Sequence, residues 1–260
     1  PMLDETLQQM QQDGVRRVLS FVTSAFSSYS GCRQYREDII SAKSKAGAES
    51  LQVDKIRVFY NHPDFIAVVA DCVRRALQDL EPTTTPFVAF TAHSIPDSMA
   101  VGCDFQRQLQ ESCRLVAERL RLADDQWALV YQSRSGRPQD PWLEPDICDF
   151  IETLPDRGTR DLVISPIGFI SDHMEVMFDL DTEAQQVCDR LEIRMRRAAT
   201  PGVMPQFISM IRKLIQERVC GANREAVGQY APNHDVCPED CCLSGVPARR
   251  PGRPQNASAD

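Results

Sequence analysis

The stretch Phe87–Pro96, "FVAFTAHSIP", decides how the rest of the chain is read. Four apolar residues, Phe87 to Phe90, have the length and density of a strand buried on both faces. His93 follows shortly after, with Ser94 and Pro96 behind it, so the chain turns as soon as the imidazole has been delivered. A histidine in that place is either a satisfied loop residue or a group held out for chemistry.

The same rhythm extends to both sides. Upstream, Leu3 to Gln12 reads as a short helix stopped by Gly14, "VRRVLSFV" (Val15–Val22) as a strand, and "TSAFSSYSG" as a hydroxyl-rich loop. A helix over Gln34–Ala46, a strand at "IRVF" (Ile56–Phe59), the turn "YNHP" and a helix from Asp64 to Leu80 follow. His62, in that turn, reads as a surface residue. Downstream of the linker "EPTTTP" (Glu81–Pro86), Phe105, Leu109, Cys113, Val116 and Leu120 make an apolar stripe at helical spacing. Next come the strand "WALVY" (Trp127–Tyr131), a helix around Asp146–Leu154, the strand "LVISP" (Leu162–Pro166) and a helix from about Glu175 into the 190s. A last helix, Pro201–Arg218, puts Phe207, Ile208, Ile211, Leu214 and Ile215 on its buried side.

Strands alternating with helices in this way imply an α/β protein, its parallel sheets covered on both faces. Ligands of such sheets bind outside the carboxyl ends of the strands. His93, "QSR" (Gln132–Arg134) and "GFISDHMEV" (Gly168–Val176) all belong to that rim.

The bulk composition narrows the options. The 260 residues carry a formal charge of -8, the wrong sign for a nucleic-acid binder. No apolar run reaches the roughly 18 residues of a membrane span, and an acidic, unanchored chain reads as cytoplasmic. The chain opens on Pro1 inside a helical pattern, so a preceding N-terminal segment is expected. Ten cysteines without a signal region read as reduced thiols, some bound to metal. The final "GVPARRPGRPQNASAD" has the composition of a disordered tail.

The acids concentrate after the third strand of the rim. Glu175, Asp179 and Glu183 are spaced i, i+4 and i+8, so a helix stacks them along one face at a cost of about 0.2–0.5 kcal/mol per pair. The helix dipole offsets part of this for acids in the first turn. Such a track is either a solvated helix start or a set of oxygen ligands that attracts and passes a divalent cation.

"FTAHSIP", "QSRSGRPQDPWLEP", "PIGFISDHMEVMFDLDTEA" and "VTSAFSSYSGCRQYREDI" together resemble the ferrochelatases, in the style of the actinobacterial coproporphyrin ferrochelatases, from Pro1 to about Arg218. The resemblance implies two Rossmann-like chelatase domains with a porphyrin cleft between them, the first incomplete here because family members carry roughly another quarter of the chain before this start. The expected division is 1–82 for the remainder of the first domain, 83–200 for the second, 201–219 for a helix packing back on the first, and 220–260 for a largely irregular cysteine-containing tail. The implied activity is insertion of Fe2+ into a free-base porphyrin by a monomer, with coproporphyrin III as the implied substrate. Protoporphyrin or another tetrapyrrole, or a cobalt or nickel chelatase, are the enzymatic alternatives, and a tetrapyrrole or metal carrier the non-enzymatic one.

His93 matches the family's metal-site histidine and Glu175 the glutamate of its "DHxE" motif, while Asp179 and Glu183 match the acidic ridge that serves as a metal path. An imidazole and a carboxylate can each ligate the metal or take a pyrrole proton, and the division of roles stays open. Tyr60 matches a tyrosine near a substrate carboxylate; Arg134 reads either as a propionate contact or as loop architecture, and Trp142 as packing. Some relatives hold a [2Fe-2S] cluster, for which Cys32, Cys237, Cys241 and Cys242 are the implied ligands, with Cys220 as a substitute; zinc or unliganded thiols are the alternatives. Cys72, Cys103, Cys113, Cys148 and Cys188 read as small apolar residues in or beside helices.

Overall fold

The computed structural model describes residues 1–137 and 139–245; the sequence-predicted disorder of the tail from Val246 onward lies outside the described residues. The elements in chain order are α1 (Leu3–Gln12), β1 (Arg17–Ser20), α2 (Gln34–Lys45), β2 (Gln52–Lys55), α3 (Pro63–Leu80), β3 (Phe87–His93), α4 (Asp97–Ala100), α5 (Phe105–Leu120), β4 (Trp127–Gln132), α6 (Ile147–Glu152), β5 (Asp161–Ser165), α7 (Met174–Phe178), α8 (Gln185–Arg190), β6 (Arg194–Arg197) and α9 (Pro205–Cys220). Two parallel sheets result, β1–β2 and a four-stranded one in the order β4-β3-β5-β6.

The four-stranded sheet divides its side chains by the period of two that a strand imposes. Val88, Phe90, Ala92 and Val163 face one layer, where Phe65, Val69 and Val73 of α3 meet Leu109 and Val116 of α5. Phe87, Ala89, Leu162 and Ile164 face the other, where Ile147 and Ile151 of α6 meet Val176, Leu180 and Cys188. Both faces are dry, as the apolar runs predict. The boundary expected near residue 82 falls between α3 and β3, yet α3 itself packs on β5 and β6 and so covers the second sheet.

The chain passes from β3 to β4 under α5 on one face and then crosses to β5 on the far side of β3, with α6 on the opposite face. The carboxyl ends of β3 and β5 therefore flank a topological switch point, where open α/β sheets leave a crevice. His93 shares the parity of Phe87 and Ala89, so it leaves the strand toward the face occupied by α7.

Three expectations are corrected. The second strand is Gln52–Lys55, and the apolar run Ile56–Phe59 is a buried irregular segment that continues the ladder by one bond, Ile56 N–H to the Ser20 carbonyl (2.9 Å). Apolar density there marks burial under α3 and α9; the ladder itself is formed by the half-exposed "QVDK". The helix after Glu175 stops at Arg190 and gives way to β6, whose "RMRR" hides an edge strand with only Met195 buried. Phe207, Met210, Leu214 and Glu217 form the buried stripe of α9, while Ile208 and Ile215 are exposed and Ile211 is half-buried.

Candidate active site

His93 ends β3, and its Nε2 lies 3.3 Å from Oε1 of Glu175 in the first turn of α7. The pair is accessible, the side chains being 37% and 47% exposed. The other ring nitrogen, Nδ1, is committed to the Ser94 carbonyl, which can only accept, so Nδ1 carries the proton. With Nδ1 protonated, Nε2 and a carboxylate oxygen would face each other with lone pairs unless a cation or a second proton sits between them. The geometry therefore makes a site for one positive charge.

The loop after β5 reaches this place because Gly168 has no side chain. Its N–H bonds the Thr91 carbonyl at 3.0 Å, and a Cβ there would sit 2.7 Å from both Cα and Cβ of Ala92. That close approach brings α7 against His93. His173 caps α7, with Nδ1 accepting from the Val176 N–H (3.5 Å), and meets Phe169 edge-on; it is not part of the pair.

Beyond Phe178 the helix widens into a π-helical segment, Asp179–Ala184, before α8. In an α-helix a four-residue step overshoots the turn by about 40°, so residues i and i+8 drift apart. A π-turn holds more residues, so its four-residue step falls short and the drift reverses. Asp179 is anchored by Gln132 Nε2 (3.2 Å) and the Ser133 hydroxyl, while Glu183 is exposed. Asp181 and Asp172 leave the track by pairing with Arg197.

His93 lines a cavity of about 390 Å³ whose other walls include Ser24, Ser28, Ser30, Met99 and Trp142. The serines come from the hydroxyl-rich loop after β1, which sequence reasoning described without assigning it to a site; its clue was three hydroxyls at a strand's carboxyl end. Trp142 is a cavity wall as well as a packing residue. Arg134 turns its guanidinium onto the carbonyls of Arg137 (3.3 Å) and Asp140 (2.7 Å), which is loop architecture.

Tyr60 and His62 depart from expectation. Because the strand ends at Lys55, Tyr60 does not stand at a strand's mouth; it is 3% exposed in the core and is not brought to His93. His62 is fully buried, where its Nδ1 caps α3 by accepting from the Asp64 N–H (3.1 Å). Burial pushes its pKa down, against the pull of Asp64.

On the far side of the serine loop four thiols gather. Cys32 Sγ is 3.8 Å from Cys237 Sγ, Cys241 and Cys242 sulfurs are 3.4 Å apart, and the Lys55 ammonium lies 3.2 Å from Cys32. Hydrogen bonds from Cys237 and Cys242, with Lys55 beside it, hold the Cys32 pKa far below the usual thiol range despite burial. Arg33 and Arg36 grip the tail by the carbonyls of Cys237, Pro238, Glu239 and Cys241. The four cysteines thus form two adjacent sulfur pairs, Cys32–Cys237 and Cys241–Cys242, and four thiolates are the donor number that a [2Fe-2S] cluster takes. Cys220 is exposed at the end of α9 and is not among the residues that meet there. Burial raises the thiols of Cys72 to about 11 and of Cys148 and Cys188 to about 12, and that of Cys113 well above its ordinary value, so these stay protonated.

The ferrochelatase family profile matches residues 1–219. The chain belongs to the ferrochelatase family. Its members insert metal into porphyrin, and the chain is an enzyme of that kind. It is 52% identical over 265 residues to the ferrochelatase of Rhodopirellula baltica, covering 99% of this chain and 74% of that one. It is 43% identical over 283 residues to the coproporphyrin III ferrochelatase of Streptomyces coelicolor, covering 100% and 74%. Among solved structures, SirB from Bacillus subtilis with Fe3+ superposes with a TM-score of 0.58 at 13% identity, covering 84% of this chain and 79% of that one, a likeness of fold. No helix among the described residues is long and apolar enough to cross a membrane.

Proposed function

We propose that this ferrochelatase inserts Fe2+ into coproporphyrin III, with His93 and Glu175 as the reacting pair. The observation that carries the assignment is the 3.3 Å contact between Nε2 and Oε1 at the mouth of a hydroxyl-lined cavity. Insertion exchanges charge in one place: Fe2+ arrives and two pyrrole protons leave. As Fe2+ enters the ring, the free Nε2 of His93 can take one pyrrole proton and the Glu175 carboxylate the other, both passing on to solvent. The Ser94 carbonyl holds the imidazole in the tautomer whose free nitrogen points at the exchange.

Asp179 and Glu183, both in the π-helical segment, extend from Glu175 as a carboxylate track for hydrated Fe2+, since oxygen ligands suit a labile cation. The Ser24 hydroxyl is donated to the Phe26 carbonyl (3.1 Å), whereas those of Ser28, which accepts from the Gly31 N–H, and Ser30 can donate to the carboxylates of the porphyrin. The choice of coproporphyrin is supported by the name of the Streptomyces relative; protoporphyrin is the competing substrate, in keeping with the broader name of the Rhodopirellula protein.

Cys32, Cys237, Cys241 and Cys242 would hold the [2Fe-2S] cluster. Bound, the cluster supplies a redox-sensitive covalent tie between the tail and the serine loop, and metal insertion itself involves no electron transfer through these residues. Lys55 offsets the negative charge of the thiolates. The protein is further assigned to the cytoplasm as a monomer, on its acidic charge and its likeness to bacterial relatives.

The test is anaerobic Fe2+ insertion into coproporphyrin III and protoporphyrin IX, followed by absorbance. His93→Ala and Glu175→Gln should each lower the rate by roughly 10²–10⁴-fold while porphyrin still quenches the intrinsic fluorescence. Normal turnover by either variant removes that residue from the reaction. Preference for protoporphyrin would replace the substrate assignment and leave the pair intact.

A further inference from the structure

The tail carries a second set of metal donors that overlaps the four thiols without coinciding with them. One donor atom from each of His234, Cys237 and Cys241 lies within 4.8 Å of the others. The loop that gathers them is local: "HDVCPEDCC" supplies all three, and the Cys241 N–H closes a turn onto the Pro238 carbonyl (3.3 Å) that brings the two sulfurs to one side. Cys242 lies next to the set, its sulfur 3.4 Å from that of Cys241, but a left-handed backbone (φ 55°) turns it inward toward Cys32 and out of the group of three. His234 is exposed, and a cavity of about 270 Å³ reaches it together with Cys241 and Cys242, so an ion has a route in.

We infer that His234, Cys237 and Cys241 form a three-ligand site for a single soft divalent cation of the Zn2+ class, its fourth position open to solvent. Such an ion is tetrahedral, with N and S ligands at about 2.0–2.3 Å, which places its ligand atoms about 3.3–3.8 Å apart. The three donors need close by only about an ångström, a side-chain adjustment. The chemistry is mixed and borderline-soft, which disfavours Ca2+ and Mg2+. By contrast His62, Asp64 and Glu225, equally close, already have the Lys213 ammonium at 2.8 and 3.3 Å from the two carboxylates, so the cation's place is taken.

The consequence is a choice of partner. The local set uses His234 and leaves out Cys32; the four-thiolate set uses Cys32 and leaves out His234. Because both need Cys237 and Cys241, the two loadings exclude each other. Only the four-thiolate set ties the tail covalently to the serine loop beside the active-site cavity.

The full chain, stripped of iron under reducing conditions, is titrated with Zn2+ against a chromophoric chelator and, in parallel, with Co2+ read by its thiolate charge-transfer bands. One equivalent should bind; His234→Ala should weaken Zn2+ by about 100-fold, and Cys32→Ser by less than about 3-fold. His234→Cys should restore tight binding and add a thiolate to the Co2+ spectrum, which separates lost ligation from lost folding. Reconstitution with iron and sulfide should show the reverse dependence, failing in Cys32→Ser and surviving in His234→Ala. No stoichiometric Zn2+ binding, unaltered affinity in His234→Ala, or equal losses in the two variants would overturn the inference. His234-dependent zinc binding in a chain that assembles no cluster would uphold it and remove the cluster from the proposed function instead.

Discussion

The two sheets are built on opposite principles. The four-stranded sheet is buried through its own strands: all five residues of β5 and six of the seven in β3 are inaccessible. The β1–β2 pair has half-exposed strands, and the apolar core beside it is carried by the irregular Ile56–Asn61 segment and α3. Long-range polar contacts close that segment. Arg57 pairs with Glu217 of α9, Asn61 donates to the Tyr230 carbonyl, and the Asn61 carbonyl accepts from the Val227 N–H (2.9 Å). One half is a packed ladder, and the other is a packed loop held by anchors from the tail. A loop of this kind can carry a cavity wall, such as the three serines, at the expense of depending on distant charges.

The largest effect is therefore expected at Arg57. Its side chain and that of Glu217 are 1% and 4% exposed, joined at 2.8 and 3.1 Å, with Glu217 also accepting the Glu225 N–H and Arg57 donating to the Glu225 carbonyl. Arg57→Met strands a buried carboxylate and should cost about 3–5 kcal/mol in urea unfolding. Combining it with Glu217→Leu should recover part of that loss, because the unpaired charge goes too. A loss under about 1 kcal/mol would mean that the first half is held by its apolar contacts after all, and the contrast between the halves would fall.

The contrast also explains what the sequence made legible. Phe87–Phe90, Trp127–Tyr131 and Leu162–Pro166 announce themselves because strands buried on both faces are continuously apolar. The same rule misplaced the second strand, since Ile56–Phe59 is apolar for a different reason. It also missed β6, where an edge strand needs only Met195 inside. The pair His93 and Glu175, 82 residues apart in a numbering that runs 93 to 175, was readable from strand-end position and family motif together. The serine wall and His234 were not, because irregular loops have no period and their partners are chosen by tertiary packing.

A smaller effect is expected at Asp161, a buried carboxylate that anchors the second half. Asp161, at the start of β5, is inaccessible and accepts from the N–H groups of Thr83 (3.0 Å) and Thr84 (2.7 Å), the Thr84 hydroxyl and Arg194. Burial raises its pKa, but the Thr84 hydrogen bonds and Arg194 outweigh burial and the net shift is downward. A carboxyl whose pKa is lower folded than unfolded stabilises fully above the unfolded value of about 3.9 and loses that contribution as pH falls through the folded value. Asp161→Asn should cost about 1–3 kcal/mol at neutral pH, and the difference from the parent should shrink as pH falls through the lowered folded value. A difference that does not shrink as the solution is acidified would show that the charge is irrelevant and only the hydrogen-bond count matters.

The smallest effect is expected at Tyr60, whose expected place at a strand end depended on the misplaced second strand. Were the strand Ile56–Phe59, Tyr60 would stand at its carboxyl end facing the cleft; with the strand ending at Lys55, the ring is core and burial pushes its phenol pKa up. Tyr60→Phe removes only the hydroxyl, so unfolding should change by about 0.5–1.5 kcal/mol and KM for coproporphyrin should stay as it was. A KM raised about tenfold with unfolding unchanged would put the hydroxyl on a substrate carboxylate, equivalent to about 1.4 kcal/mol of binding. That result would require the Ile56–Asn61 segment to open in the working enzyme. The anchors from α9 and the tail would then be the parts that regulate access, and the packed loop would be a closed state of the first half.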